Sequence, residues 1–148
     1  MDFVPEHFIV PTKLETDGFV LEPLGPQHNQ SDYAAWSSSR EHIHGTPGWE
    51  QSSWPDGRDL DANLRDLERH EDDFRNRAGF TYTVLDPVQR DVIGCVYIYP
   101  APDGGADALV ESWVRADRPE LDAKLWRAVS DWIAADWPFV AVKYAARA

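Results

Sequence analysis

The sequence predicts an α+β domain, a mixed and twisted β-sheet flanked by helices. Two long segments repeat apolar residues at helical spacing, and runs rich in β-branched and aromatic residues alternate with them. In one such run, residues 91–100, both alternating sets of side chains are apolar, which is typical of a strand covered on both faces. A chain of 148 residues has the length of one domain, so we expect residues 1–148 to form a single domain.

The first half of the chain predicts one strand and two helices. Residues 1–17 are of mixed polarity and are interrupted by prolines, which indicates an arm that can pack on the body without a core of its own. FVLEPL, residues 19–24, has the character of a short strand, and a helix is predicted from Pro26 to about Ser39. After a long loop at residues 41–59, leucines at near-helical spacing predict an amphipathic helix over residues 60–74.

The second half predicts three consecutive strands, a helix and a last strand. The first two strands, at 79–85 and 91–100, are joined by Asp86-Pro87-Val88-Gln89-Arg90, a hairpin turn. A third strand at 108–115, a helix at 120–136 and a strand at 139–145 form a βαβ unit, which predicts a parallel pair of strands. The sheet is therefore expected to be mixed.

The composition restricts the class of partner. The formal charge is −12, from 26 acidic and 14 basic residues, and such a field repels nucleic-acid phosphates and anionic lipid. We therefore expect no nucleic-acid and no membrane partner. The single cysteine, Cys95, excludes an intramolecular disulfide and is expected to be a buried small hydrophobe. The N-terminal segment lacks the basic start and unbroken apolar run of a signal peptide, which predicts a cytoplasmic protein.

The order of the elements, with a loop and helix directly after three consecutive strands, resembles the GNAT N-acetyltransferase superfamily from Phe19 to about Tyr144. The resemblance implies a GNAT-like sheet truncated after its fifth strand, an acetyl-CoA cofactor and transfer of an acetyl group to a small-molecule or other amine acceptor. In that family a loop of the pattern Gln/Arg-x-x-Gly-x-Gly/Ala binds the pyrophosphate of acetyl-CoA through backbone N–H groups at a helix N-terminus.

The corresponding loop, RPELDA at residues 118–123, matches that pattern in part. Arg118 stands at its first position and Ala123 at its last. The resemblance implies that Arg118, together with Arg115, holds the phosphates, and that Ala123 lies beside them.

The rest of the loop departs from the pattern. Leu121 replaces the central glycine, where a side chain is expected to obstruct the approach of phosphate. Pro119 lacks an N–H donor, and Glu120 and Asp122 add like charge beside an anion. We therefore expect a degenerate cofactor loop.

The resemblance also implies catalytic roles. Glu111, in the middle of a strand, is the candidate general base; the alternative is a carboxylate paired with a basic residue of a neighbouring strand. The backbone N–H of Trp113 or Val114 would polarise the thioester carbonyl of the bound cofactor. Tyr144 would act as general acid toward the departing thiolate; the alternative is an amphipathic residue at the edge of the core.

Two other sequence features keep two interpretations each. His42-x-His44 and His70 indicate either a metal site or histidines hydrogen-bonded to carboxylates. Because no convincing third and fourth ligands occur at a diagnostic spacing, no metal is predicted. Trp49 and Trp54, in the long loop, either line a ligand pocket or subunit interface or plug the edge of the sheet.

Two functions remain open. One is an acyl-CoA-dependent N-acetyltransferase. The other is a GNAT-fold module that has lost catalysis and serves in binding or dimerisation. A third reading, an acidic partner protein unrelated to GNAT, would require the element order to be a coincidence. Because few residues follow the last strand, we also expect a homodimer or the N-terminal arm to cover an exposed sheet edge.

Overall fold

The computed structural model describes residues 2–147, in which a six-stranded sheet carries helices on both faces. The elements are β1 (Leu14–Glu15), β2 (Val20–Pro23), a 3₁₀ turn (Pro26–His28), α1 (Asn29–Ser37), α2 (Arg40–His44), α3 (Leu60–Arg75), β3 (Phe80–Leu85), β4 (Val92–Pro100), β5 (Ala108–Val114), α4 (Leu121–Asp136) and β6 (Val142–Tyr144).

The strands lie in the sheet in their order along the chain. Each neighbouring pair from β1 to β5 is antiparallel, whereas β5 and β6 are parallel and are connected through α4. This confirms the predicted mixed sheet and the predicted parallel βαβ unit. The β3–β4 hairpin turns where Asp86 Oδ1 accepts hydrogen bonds from the N–H groups of Val88 and Gln89, at 2.9 and 2.8 Å.

Both faces of the sheet are covered. The apolar side chains on both faces of β4 predicted this arrangement. On one, the α4 face, Leu125 and Val129 of α4 pack on strand residues such as Val96 and Val110. On the other, the α1–α3 face, the buried cluster comprises Leu24, Ala35, Trp36, Ile43, Trp49, Leu67, Leu85, Val92, Cys95 and Trp113. Cys95 is fully buried and free, as expected.

The N-terminal arm packs on the body of the domain and adds a strand to its sheet. It contributes β1, a sixth strand, and Val4, which is 2% exposed, belongs to the core of the α4 face. The ring of Phe3 stacks on Phe139 with 5.0 Å between centroids. The apolar residues of the arm thus join the core of the α4 face and do not form a separate core. β1 was not predicted, because a strand of two residues gives no periodic signal.

The arm also does not cover the edge strand β6. β1 pairs with β2 at the opposite edge of the sheet. Beside and on β6, Val140 is 95% exposed and Val142 is 38% exposed. Coverage of this edge by a second copy of the chain stays a prediction.

The helices of the α1–α3 face position the loop that joins them. α3 begins at Asp59, whose Oδ1 accepts a hydrogen bond from the N–H of Ala62 at 2.8 Å and so satisfies one free donor of the first turn. The predicted loop at 41–59 begins as a helix, because α2 extends to His44. No helix within residues 2–147 is both long enough and apolar enough to cross a membrane.

Candidate functional site

β6 pairs over its whole length with the first three residues of β5, and this leaves a gap beside the rest of β5, beyond Tyr144. The paired residues are Ala108 with Val142, Leu109 with Lys143 and Val110 with Tyr144. The N–H of Arg115 donates to Ile93 of β4, and alternate residues of a strand point their N–H groups to opposite sides. The N–H groups of Ser112 and Val114 therefore face the gap. That of Trp113 faces β4, so of the two predicted backbone donors only Val114 is directed into the gap.

The side chain of Arg147 fills this gap. Its Nη2 donates to the carbonyl oxygen of Ser112 at 2.9 Å and its Nε to Asp122 Oδ2 at 2.8 Å. The guanidinium also lies over the Tyr144 ring, 5.7 Å from the centroid, and the side chain is only 3% exposed. No sequence pattern marks Arg147, and sequence reasoning missed it.

Tyr144 lies at the edge of the gap, as the sequence predicted, with its hydroxyl 2.5 Å from Ser112 Oγ. Burial raises the pKa of Tyr144 to about 12, so the phenol keeps its proton at neutral pH. Beside Tyr144, a groove of about 470 Å³ runs between α4 and β6 and is lined by apolar residues including Trp126 and Ile133.

Both arginines predicted to hold phosphate are paired with carboxylates. Arg115 donates to both oxygens of Asp117, at 2.7 and 2.9 Å, and to Asp91 at 2.9 Å. Arg118 donates to Asp86 at 3.1 Å. A phosphate would have to compete with these carboxylates for each guanidinium.

The loop before α4 directs little of its backbone toward a ligand. The N–H groups of 116, 118, 121 and 122 already donate within the protein. Leu121 is 8% exposed and its side chain packs in the core of the α4 face. The expectation that Leu121 obstructs the loop is therefore wrong, because this side chain points into the core. The predicted Ala123 lies in the first turn of α4.

Glu111 lies on the α1–α3 face opposite Tyr97 of β4. Gly48 lies beside its carboxylate and belongs to the loop between α2 and α3, residues 45–59, which is called the aromatic loop below. Burial raises its pKa above the usual range for a glutamate, and no described Lys, Arg or His lies within 4.0 Å of it. The alternative of a pair with a basic neighbour thus has no support among residues 2–147. A half-buried carboxylate with a raised pKa has the chemistry of a general base.

The aromatic loop packs over the same strand. Trp49 is 7% exposed, and its Nε1 donates to the carbonyl oxygen of Ser112 at 2.9 Å. Trp54 contacts Trp36 and Trp113, with ring centroids 5.5 and 6.0 Å apart. The two predicted tryptophans close the α1–α3 face next to Glu111.

The histidines that suggested a metal do not converge. His44 Nε2 lies 3.1 Å from Asp56, and His70 Nδ1 lies near the hydroxyls of Thr81 and Tyr99, at 3.0 and 2.9 Å. Within residues 2–147 no group of three or more His, Cys, Asp and Glu side chains could hold a metal ion.

Comparison by sequence and by structure gives different results. No protein-family profile and no curated protein sequence matches the chain. Solved structures do match. The ribosomal-protein-S5-alanine acetyltransferase of Vibrio fischeri has a TM-score of 0.63 at 14% identity, over 83% of this chain and 67% of that chain.

Two further structures agree. The microcin C7 self-immunity acetyltransferase MccE, solved with acetyl-CoA and AMP, has a TM-score of 0.66 at 12% identity, over 84% of this chain and 66% of that chain. An acetyltransferase from Salmonella typhimurium that modifies the N-terminal serine of ribosomal protein L7/L12 has a TM-score of 0.62 at 10% identity, over 82% and 67%. The chain spans about two thirds of the length of these enzymes. The predicted resemblance is thus confirmed for the fold: the chain has the fold of the GNAT acetyltransferases.

Proposed function

We propose that the chain is an N-acetyltransferase that uses acetyl-CoA and acts on an amine acceptor. One observation carries the proposal: the Val114 N–H faces an opening between two parallel strands, and Glu111, three residues earlier on the same strand, is a carboxylate with a raised pKa and no described basic partner. The structural likeness to acetyltransferases, one of them solved with acetyl-CoA, supports the same reading.

The residues of the gap fit the part of acetyl-CoA that would lie along β5. Acetyl-CoA, when bound, supplies an acetyl group activated as a thioester. The N–H groups of Ser112 and Val114 would donate to it along β5, and that of Val114 would stabilise negative charge on the acetyl oxygen. The apolar groove beside Tyr144 offers room for its flexible arm. Arg118 and Arg115 would hold the phosphates only by giving up carboxylate partners.

Glu111 would accept a proton from the acceptor amine, directly or through water, as the new N–C bond forms and the C–S bond breaks. Tyr144 would donate a hydrogen bond to the departing sulfur. With a pKa of about 12, its phenol is a weaker acid than an ordinary thiol, whose pKa is about 8.5. Complete proton transfer from Tyr144 is thus unfavourable, so Tyr144 is the weaker of the two catalytic candidates.

A second function, a GNAT-fold binding or dimerisation module without catalysis, is favoured by a single observation. The guanidinium of Arg147 occupies the gap and is hydrogen-bonded on both sides. If Arg147 never leaves, acetyl-CoA cannot enter between β5 and β6.

Calorimetry and thermal unfolding with acetyl-CoA separate the two functions. The N-acetyltransferase should bind acetyl-CoA, and a ligand at 100 times its Kd stabilises a fold by about 2.7 kcal/mol. The absence of heat and of any thermal shift at millimolar acetyl-CoA would exclude the enzyme and leave the binding module.

A pair of variants tests the role of the Val114 N–H. Val114→Pro removes this N–H, whereas Val114→Ala truncates the same buried side chain and keeps the N–H. If the proposal holds, the proline variant binds acetyl-CoA more weakly than the alanine variant. Equal affinities would show that the N–H at this position has no part in binding.

A further inference from the structure

A second cavity lies on the α1–α3 face, under the aromatic loop. Its volume is about 120 Å³, which corresponds to about four water molecules. Trp49, Trp54 and Tyr97 form its aromatic wall, with Trp49 at 5.5 Å from each of the other two ring centroids. Asp32 of α1 forms part of the polar wall. The cavity thus combines aromatic rings with one carboxylate in a space large enough for a few heavy atoms.

Asp32 is only 3% exposed, which is unusual for a carboxylate side chain. Oδ2 accepts a hydrogen bond from Asn63 Nδ2 at 3.0 Å, whereas Oδ1 is buried and has no donor within residues 2–147. A buried charged oxygen without a partner is strongly unfavourable. Such atoms in a folded protein are normally satisfied by a ligand, an ion or ordered water.

The neighbouring amide cannot supply the missing donor. Both hydrogens of Asn63 Nδ2 are used, one toward Asp32 and the other toward Asn29 Oδ1 at 2.9 Å. Its Oδ1 accepts from Trp36 Nε1 at 3.2 Å, so this N–H, the other donor near Asp32, is engaged by Asn63. Asn63 is held by three hydrogen bonds in one orientation, which leaves Asp32 Oδ1 as the free acceptor of the network.

No described cation neutralises Asp32. Asp66 and Arg69 also line the cavity, but Asp66 is paired with Arg58 at 2.6 Å and the Arg69 side chain is 59% exposed. His70, on the same wall, has its pKa lowered to about 4 by burial, so it is neutral at physiological pH. The cavity therefore presents an unpaired negative charge to whatever enters it.

We propose that this cavity binds the primary ammonium group of an aminoalkyl compound, with an N–H donating to Asp32 Oδ1 and the alkyl part against Trp49, Trp54 and Tyr97. Each part of the ligand complements one feature of the site. The charge balances the carboxylate, the N–H satisfies the free acceptor, and the carbon chain meets rings that attract cations and apolar groups. A bare metal ion fits poorly, because it requires several oxygen ligands.

This site is distinct from the proposed chemistry at Glu111 and does not depend on acetyl transfer. An amine held by a carboxylate keeps its proton and has no lone pair with which to attack a thioester. The ammonium is therefore a recognition group of a ligand rather than the acceptor nitrogen.

The test is a fluorescence titration of the full-length chain, because two tryptophans line the cavity. The probe is n-propylammonium chloride, which has four heavy atoms, titrated without acetyl-CoA and against sodium chloride at equal ionic strength. The control ligand is 1-propanol, which has the same length and a donor but no charge. We expect a saturable change with n-propylammonium and an apparent Kd at least tenfold higher for 1-propanol.

Three variants locate the binding. Asp32→Asn should weaken n-propylammonium at least tenfold and abolish the preference over 1-propanol. Trp54→Leu, at a half-buried position, should weaken it severalfold and keep the preference. Asp136→Asn, an exposed carboxylate on α4, should leave the affinity as in the unmodified chain.

Three results would overturn the proposal: no saturable response to n-propylammonium, equal affinity for 1-propanol, or an Asp32→Asn variant that binds as the unmodified chain does. If Asp32→Asn does not fold, the comparison of the two ligands and the Trp54→Leu variant still decide. A loss of acetyl-CoA binding with n-propylammonium binding intact would count against the proposed acetyl transfer alone.

Discussion

The two faces of the sheet are buried to a similar degree but are built differently. The core of the α4 face consists mainly of aliphatic and aromatic side chains from α4 and the strands, and its buried polar groups, Ser112 and the Arg147–Asp122 pair, are hydrogen-bonded at the gap beside β6. The α1–α3 face also encloses polar side chains, namely Asp32, Ser39, Thr46, Asn63, Thr81 and Thr83. The same face carries Glu111 and the cavity beside Asp32.

This difference separates stability from function. Burial of apolar side chains stabilises a fold. Buried polar groups reduce the stability of the fold unless they form hydrogen bonds. Away from the gap and the groove beside β6, the α4 face therefore serves mainly to hold the sheet together. On the α1–α3 face, burial of the carboxylates of Asp32 and Glu111 reduces the stability of the fold. Carboxylates with pKa values shifted in this way are typical of binding and catalytic sites.

The largest effect is expected at Glu111. Glu111→Gln keeps the shape of the side chain but cannot accept a proton, so kcat/KM should fall by a factor of about 10² to 10⁴. The measurement is CoA release with a panel of aliphatic amines and of peptides with free N-termini. In the unmodified chain, activity should rise with pH through the raised pKa of Glu111, because only the carboxylate accepts a proton. Glu68→Gln, exposed on α3, is the matched control. Similar losses in both variants would contradict the assignment.

On the opposite face, Leu125→Ala should act on stability alone. Leu125 is fully buried in the α4 face, and such a truncation costs about 2 to 5 kcal/mol of unfolding free energy, measured by urea denaturation. Leu60→Ala, at a leucine of α3 that is 37% exposed, should cost far less. If Leu125→Ala instead changed ligand affinity with little loss of stability, the proposed division between the faces would fail.

Asp32→Asn should increase stability at neutral pH while weakening the proposed ammonium site. Burial raises the pKa of Asp32 to about 6 from its usual 3.8, so the ionised carboxylate disfavours the folded state. Each pKa unit corresponds to about 1.4 kcal/mol, and the penalty is therefore about 3 kcal/mol.

The sign of the pH dependence is fixed by that shift. The penalty is complete above about pH 6 and fades as the pH falls from 6 toward 4, where the folded carboxyl is already protonated. The gain in unfolding free energy for Asp32→Asn over the unmodified chain should thus be large at pH 7.5 and small at pH 4. A variant that is less stable at pH 7.5 would mean that the carboxylate is satisfied in solution.

The smallest effect concerns Arg147. Because Arg147 fills the gap, its removal should favour acetyl-CoA, but Arg147→Ala alone would leave Asp122 unpaired beside the phosphates. The double variant Arg147→Ala/Asp122→Asn should bind acetyl-CoA about tenfold more tightly, which is the equivalent of one charge-assisted hydrogen bond. Arg127→Ala, exposed on α4, is the control. Weaker binding by the double variant would make Arg147 a ligand of the cofactor instead of an obstacle to it.

Sequence reasoning predicted the elements with strong periodicity and missed those without it. α3, β4 and α4 were predicted to within a few residues because their apolar patterns repeat over several turns or alternations. β1 has two residues and α2 has five, too few for any period to appear.

The site was less predictable than the fold. Glu111 and Tyr144 follow from element order, because the resemblance assigns them to particular strands. The hydrogen bonds of Arg147 to Ser112 and Asp122, and the lack of a donor at Asp32 Oδ1, depend on three-dimensional packing between segments 25 or more residues apart. Leu121 illustrates the same limit, since only the rotation of α4 determines whether a side chain at this position meets a phosphate or the core.

The contact between Phe3 and Phe139 joins positions near opposite ends of the chain. A ribosome therefore releases one ring of this pair long before the other, and the α4-face core remains incomplete until Phe139 has emerged. Folding that waits for distant partners is slow and exposes apolar surface in the meantime. We expect the nascent chain to depend on chaperones until Phe139 emerges, and the yield of recombinant protein to be more sensitive to changes at Phe3 and Val4 than their position in an arm suggests.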